Sequence, residues 1–326
     1  MRHRVAVIGA GPIGLELAVA LVRANIDYVQ FDAKQIGATM QWYPQEMVFH
    51  SNAERLAIAG VPIQVPDQQK IKREEFLAYL RAVVLQFGLE VNTYERVLDA
   101  RRVEGGFELH TNRGTYLVDN VVVAIGAMHA PKLMNVPGED LPHVSHYFHD
   151  PHTYFNQQLL IVGGRNSAIE AAVRCQRAGA HVTLSYRRDD FDATSVKFWL
   201  LPEIRSMMRD GRVRFLPQTS VVEIREHSVV LEELNRPEGE RRSEIAADFV
   251  LALTGYRQDT TLFEQLGVDL QGDDRRPRYD ETTMETNVPG VFVAGTAIAG
   301  SPVERVRIIV EDCHVHVDRI LARLTA

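Results

Sequence analysis

The feature that most constrains this chain is a strand, a glycine turn and a helix written into its first residues. Val5-Ala6-Val7-Ile8 is a short apolar run; Gly9, Gly11 and Gly14 follow in the order G-x-G-x-x-G around Pro12 and Ile13, and a helix-forming run begins at once. In that spacing the first glycine allows a tight turn, the second lets the backbone approach a pyrophosphate, and the third lets the helix pack closely. The unpaired N–H groups and the positive end of the helix dipole then face the phosphates. A second apolar strand, Tyr28 to Phe31, ends in Asp32, near the distance at which a carboxylate takes both ribose hydroxyls. A dinucleotide site is the expected consequence.

The theme returns in mid-chain. Leu159 to Val162 reads as a buried strand, Gly163-Gly164-Arg165-Asn166-Ser167-Ala168 as a turn, Ile169 to Ala178 as a helix stopped by Gly179, and His181 to Ser185 as the next strand. Arg165 stands in the third place of the motif and Ala168 in the sixth, where glycine is usual. Where an NAD site would put a carboxylate there is Ser185, then Tyr186-Arg187-Arg188. Two guanidiniums suit the 2′-phosphate of NADP, which a carboxylate would repel.

The remaining pattern predicts an α/β fold. A helix is expected over Lys72–Phe87, with Phe76, Leu77, Leu80, Val83, Val84 and Phe87 on one stripe, and another over Lys197–Arg209. Strands are expected at Leu89–Val91, Phe107–His110, Tyr116–Val118, Val121–Gly126, Val213–Leu216, Val221–Ile224, Val229–Glu232, Phe249–Leu253 and Val291–Ala294. Ala33–Pro66 has little periodicity and carries Trp42 and Tyr43, read as a ligand cover against a flavin ring or as packing. Ser301-Pro302-Val303-Glu304 reads as the capping box of a last helix, whose Val303, Val306, Val310, Cys313, Val317 and Ile320 face the core.

At 326 residues the chain suggests about two domains. A net charge of -7 gives no basic footprint for nucleic acid, and no apolar run reaches membrane-spanning length. The first strand starts at the N-terminus, so no leader is expected. Cys175 and Cys313 are the only cysteines, which excludes a disulfide framework and makes the cytoplasm the expected compartment. Both read as packing residues. His143, His146, His149 and His152 recur every third residue, but Pro142 and Pro151 oppose a helix that would align them, and no metal site is expected. A hinge near bound nicotinamide is the functional reading of that stretch.

Two dinucleotide units in one chain imply two cofactors: FAD on the first and a nicotinamide on the second, with hydride passing to flavin and electrons onward. The order of Gly9–Gly14, Ala124-Ile125-Gly126, Gly163–Ala168 with Tyr186-Arg187-Arg188, and Thr286 to Gly295 resembles the low-molecular-weight thioredoxin reductase class over essentially the whole chain. Within that class Tyr43-Pro44, Val136–Pro142, His146-Tyr147-Phe148, Asn166-Ser167-Ala168 and Thr254-Gly255-Tyr256 are most similar to the bacillithiol disulfide reductases. The resemblance implies two nested Rossmann-like domains: an FAD-binding domain from residues 1–128 and 255–326, and an inserted NADPH-binding domain from 129–254. It implies a homodimer, and a small disulfide or small redox protein as acceptor. Gly9, Gly11, Pro12, Ile13, Gly14, Asp32, Trp42, Tyr43, Gly126, Gly295, Thr296 and Val303 would then meet FAD. Gly163, Gly164, Arg165, Asn166, Ser167, Ala168, Arg187, Arg188 and Gly255 would meet NADPH.

The chain departs from the class in three places. Thioredoxin reductases carry a redox dithiol just before the second motif, where this chain has Tyr147-Phe148-His149-Asp150. The bacillithiol-type enzymes carry a cysteine inside the first glycine loop, where Ile13 stands here. Thr296 replaces the Asp that commonly bonds the ribityl chain, and its hydroxyl makes a weaker contact. No catalytic side chain is therefore named. Three alternatives remain at this level: a ferredoxin or flavodoxin NADP reductase; a flavin monooxygenase, whose F-x-G-x-x-x-H linker is not found between Gly138 and Gly163; and a redox-inert dinucleotide-sensing module.

Overall fold

In a computed structural model, which describes residues 2–66, 69–237, 241–301 and 308–326, the chain divides into two compact units. One comprises Met1–Gln41, Glu46–Ala130 and Tyr256–Ala326; the other comprises Trp42–Gln45 and Pro131–Gly255.

In the first unit Arg2–Ile8 lies parallel to Tyr28–Phe31 on one side and to Thr115–Val123 on the other, with Val5 opposite Tyr28 and Asn120. Val91–Asn92 extends one edge and Val291–Val293 the other, Val291 lying opposite Val121. Five parallel strands flanked by crossovers are buried on both faces, which is why Val5, Val7, Val121, Val122 and Phe292 are all nearly inaccessible. Helix Pro12–Arg23 lays Leu17 and Leu21 on this core beside Phe31. The two short runs expected at Tyr116–Val118 and Val121–Gly126 are one nine-residue strand, Thr115–Val123. Asp119 and Asn120 interrupt its apolar pattern but not its ladder: Asp119 pairs with Arg2 at 2.7 Å, and the Asn120 amide donates to the Arg4 carbonyl at 3.2 Å. The first half of that strand pairs antiparallel with Gly106–Thr111, which pairs in turn with Val97–Val103. Val97–Val103 escapes sequence reading because only Val97 and Ala100 are buried and a register shift breaks the alternation between Val97 and Asp99.

Helix Arg73–Phe87 buries Phe76, Leu80 and Val83 as its stripe predicts, and adds Tyr79, whose hydroxyl takes the Ile58 N–H and donates to the Val61 carbonyl, both at 2.7 Å. The chain end differs from expectation. Pro302, Val303 and Glu304 lie outside the described residues, Ile308 and Ile309 are not helical, and the last helix runs only from His314 to Thr325. The β-branched pair Ile308-Ile309 is a poor helix former, and the Asp312 carboxylate takes the Ile309 N–H at 3.1 Å, a local bond that competes with helix.

The second unit repeats the strand order. Gln158–Val162 is central, His181–Tyr186 and Val213–Pro217 follow on one side, and Phe249–Ala252 and Val144–Ser145 on the other, all parallel. Leu159 and Ile161 pack with Ala172 and Val173 of helix Asn166–Arg177, whereas Leu160 and Val162 pack with Val221, Val229 and Leu231. Those last residues come from an antiparallel sheet of Thr219–Ile224, Ser228–Glu233 and Arg242–Ala246. Helix Leu200–Arg209 starts three residues later than expected.

Candidate dinucleotide sites

In the first unit three turns converge. Gly9, at φ +116°, donates its N–H to the Phe31 carbonyl at 2.8 Å, and a methyl group there would overlap the Ala124 carbonyl. A methyl on Gly14 would overlap the Gly9 carbonyl and stand 3.3 Å from Gln30 Nε2, so helix and loop touch backbone to backbone. Gly11 is different: nothing in the protein lies within 4 Å of a methyl added there. That open face at the start of helix Pro12–Arg23 is where the motif brings phosphate close. Ile13 is 5% exposed, and a methyl on Gly295 would stand 3.3 Å from its Cβ. A methyl on Gly126 would stand 3.5 Å from Thr296 Oγ1.

Asp32 closes this site. Its Oδ2 takes the Ala10 N–H and its Oδ1 the Lys34 N–H, both at 2.8 Å. Burial pushes the carboxyl above its usual range, and the two backbone bonds oppose the shift. Each carboxylate oxygen keeps a lone pair for a hydroxyl, which fits a ribose. Sequence reading missed Gln258, which is 6% exposed and whose amide donates to the carbonyls of Gly126 at 3.0 Å and Ala297 at 2.7 Å. Nothing in its surroundings Tyr256-Arg257-Gln258-Asp259 marks it.

In the second unit Gly163, at φ +140°, donates to the Ser185 carbonyl at 3.0 Å, and a methyl there would stand 2.5 Å from the Leu253 carbonyl oxygen. Ser185 therefore corresponds to Phe31, not to the carboxylate position. Its hydroxyl is buried against the Thr219 hydroxyl at 2.8 Å. Tyr186 takes the place of Asp32, and its ring covers Gly164, where a methyl would stand 2.6 Å from ring carbons. Arg187 and Arg188 follow, both exposed. Burial lowers the Lys132 amine, and Arg165 and Arg187 lower it further; burial also lowers Arg165, with Arg188 and Arg187 adding to it. Cations that depress one another across a cradle favour an anion in it. Asn166 opens the helix, but its Oδ1 takes the Lys197 N–H at 2.6 Å, so it also organises the loop before Leu200. Ser167 is exposed, Ala168 is buried and Gly255 has φ +106°.

Trp42 stands edge-on to the Tyr147 ring at 5.6 Å, and the Arg174 guanidinium donates to the Gln45 carbonyl at 2.8 Å, so this strap packs within the second unit. Burial raises the Tyr43 phenol. Val303 lies outside the described residues. His143 faces the Arg225 carbonyl, His146 the Ala252 carbonyl and Glu139, and His149 lies over Tyr147; among the described residues no group of three or more His, Cys, Asp or Glu could hold a metal. Cys175 and Cys313 are fully buried, and burial pushes each thiol up to about 12.

The model of one protein family, pyridine nucleotide-disulphide oxidoreductase, matches residues 6–295. The chain belongs to that family. The bacilliredoxin reductase Bdr of Bacillus subtilis (strain 168) is 34% identical to it over 326 residues, covering 99% of this chain and 98% of the relative. The solved bacillithiol disulfide reductase Bdr from Staphylococcus aureus superposes with a TM-score of 0.93 at 30% identity, covering 99% and 98%. The thioredoxin reductase of T. acidophilum, at 18% identity and a TM-score of 0.78 over 100% and 99%, shows the fold alone. The protein is a flavoprotein oxidoreductase of thioredoxin reductase-like fold that uses FAD and NADPH. No helix among the described residues is long and apolar enough to cross a membrane.

Proposed function

We propose that this protein, as a cytoplasmic homodimer, carries electrons from NADPH through FAD to a small disulfide of the bacillithiol disulfide type. The observation that carries the reading is the likeness to Bdr, 34% identical across the full length of both chains. The first unit is the FAD domain and the second the NADPH domain, with the chain crossing near Ala130 and Gly255. The homodimer rests on the resemblance of the sequence to its class.

Gly9, Gly11, Pro12, Ile13 and Gly14 receive the FAD pyrophosphate at the start of helix Pro12–Arg23, and Asp32 holds the ribose. Gly126, Gly295 and Thr296 line the same point. Arg187 and Arg188 hold the 2′-phosphate of NADPH while the Gly163–Ala168 turn takes its pyrophosphate. The chemistry FAD supplies when bound is a two-electron relay from NADPH to the acceptor disulfide, which takes up two electrons and two protons and leaves as two thiols. No thiol of this chain takes part. Cys175 and Cys313 stay protonated at neutral pH, and only a thiolate attacks a disulfide. Ile13 fills the loop position with apolar packing against Gly295.

The reading is tested anaerobically. NADPH should bleach the flavin spectrum, and bacillithiol disulfide should restore it, whereas oxidised ferredoxin should not. Restoration by ferredoxin alone would place the protein among electron-transfer reductases. No bleaching at all would leave a dinucleotide sensor.

A further inference from the structure

In the second unit Gln158–Val162 lies between two parallel neighbours, and the carboxyl ends of all three strands share one edge, where ligands of such sheets bind. The Gly163–Ala168 turn leaves the central strand. On one side His181–Tyr186 runs on into Arg187 and Arg188. On the other side Phe249–Ala252 runs on into Leu253, whose carbonyl faces Gly163, and then into Thr254 and Gly255. Lys132 is fastened to that second side. Its N–H donates to the Gly255 carbonyl at 2.9 Å, the Thr254 hydroxyl donates to its carbonyl at 2.5 Å, and a methyl on Gly255 would stand 3.9 Å from its Cδ. The half-buried side chain therefore starts along Gly255, and its ammonium feels Arg165 in the turn and, less strongly, Arg187 beyond it.

Cations thus stand in the turn and on both sides of it. Elsewhere in this unit Arg174, Arg177, Lys197 and Arg205 each form a salt bridge with a carboxylate, whereas among the described residues Arg165, Arg187 and Arg188 form none. Asp192, within electrostatic reach of Arg165 and Arg188, spends its carboxylate on the hydroxyls of Thr194 and Ser195. The positive charge of this edge suits an anion from outside the chain. NADPH brings two, a pyrophosphate for the turn and a 2′-phosphate for the strand end beside it.

We propose that Lys132 binds the pyrophosphate of the nicotinamide dinucleotide, its ammonium and the Arg165 guanidinium holding the phosphates from the side opposite Arg187 and Arg188. This rests on the reading of the second unit as the NADPH domain. NADH carries the same pyrophosphate and lacks the 2′-phosphate, so Lys132 serves both nucleotides equally while the Arg187-Arg188 pair tells them apart.

The experiment follows anaerobic bleaching of the flavin and measures the concentration of NADPH, and separately of NADH, that half-saturates it in the holoenzyme. Lys132→Gln keeps a stem beside Gly255 and drops the charge; it should raise both concentrations about tenfold, the size of one lost charge-assisted bond, and leave their ratio as in wild type. Lys132→Arg should restore both to within about threefold of wild type. Unchanged half-saturation in Lys132→Gln, or equal losses in the Gln and Arg variants, would overturn the proposal and leave Lys132 a structural residue. A rise for NADPH alone would overturn it too, moving Lys132 to the 2′-phosphate. If Lys132→Gln does not fold, Lys132→Met, which keeps the stem without a charge, takes its place with the same expected outcome. A wild-type flavin bleached by neither nucleotide would overturn the NADPH reading and this inference together, whereas normal bleaching of wild type with an unaffected Lys132→Gln overturns the inference alone.

Discussion

The first loop glycine reaches back to the second strand in both units, Gly9 to the Phe31 carbonyl at 2.8 Å and Gly163 to the Ser185 carbonyl at 3.0 Å. Each also presses on the residue just past a neighbouring parallel strand, Gly9 on Ala124 after Thr115–Val123 and Gly163 on Leu253 after Phe249–Ala252. From there the units diverge. The residue after the matched carbonyl is Asp32 in one, an acceptor held by two backbone N–H groups, and Tyr186 in the other, a ring laid over Gly164 with Arg187 and Arg188 beyond it. The third loop position is open at Gly11 and charged at Arg165. Backbone geometry is thus common to both sites, and one or two residues at a strand end set the sign of the charge each offers.

The hardest blow to the shared geometry is Gly9→Val. A side chain at φ +116° against the Ala124 carbonyl should cost about 4 kcal/mol or more and yield little folded, flavin-containing protein, seen in soluble yield and absorbance. Removing the charge that separates the units, by Arg187→Ala with Arg188→Ala, should raise the KM for NADPH roughly 100-fold and that for NADH far less, given about 1.5–3 kcal/mol per charge-assisted bond. A KM that rises equally for both nucleotides would refute the 2′-phosphate assignment. Gly11→Ala sharpens the loop comparison: the methyl meets no protein atom, so the apo midpoint should hold while the FAD Kd rises roughly tenfold.

Titration separates two histidines of the first unit. His316 is buried, takes the Gly295 N–H at 3.2 Å, and is pushed down to about 4 by burial, with Arg319 adding to it. The unfolded chain takes that proton first, so this contribution is full above about pH 6.5 and is lost as pH falls toward 4. His314 runs the other way: its bond to Glu16 at 2.7 Å raises it, so its contribution is present at low pH and fades as pH rises through the raised value. Thermal midpoints of His316→Gln against pH should lose the acid slope; an unchanged slope would mean the proton goes elsewhere. The smallest effect is expected from Cys175→Ala and Cys313→Ala. Turnover should stay within about twofold, with stability lower by about 1 kcal/mol from lost packing. Loss of disulfide reduction in either variant would restore a thiol to the mechanism.

Both glycine turns, and the strand ends that carry Asp32 and Arg187-Arg188, were legible in the sequence because their geometry is local. A tight turn needs glycine at fixed spacing, and a strand end carries its charge within a few residues of it. The unbroken apolar run Leu159 to Val162 likewise marked a strand buried on both faces. What the tertiary structure alone decided involves partners far apart in the chain. Thr115–Val123 is one strand because Arg2 and the Arg4 carbonyl engage the polar pair that splits it in the sequence. Tyr186 rather than Ser185 matches Asp32, since register is fixed by a hydrogen bond and not by the residue types. Trp42 packs on Tyr147, 105 positions away, and Gln258 joins turns at Gly126 and Ala297. No local pattern encodes such meetings, because the free energy that fixes them is released only when distant strands close into one sheet.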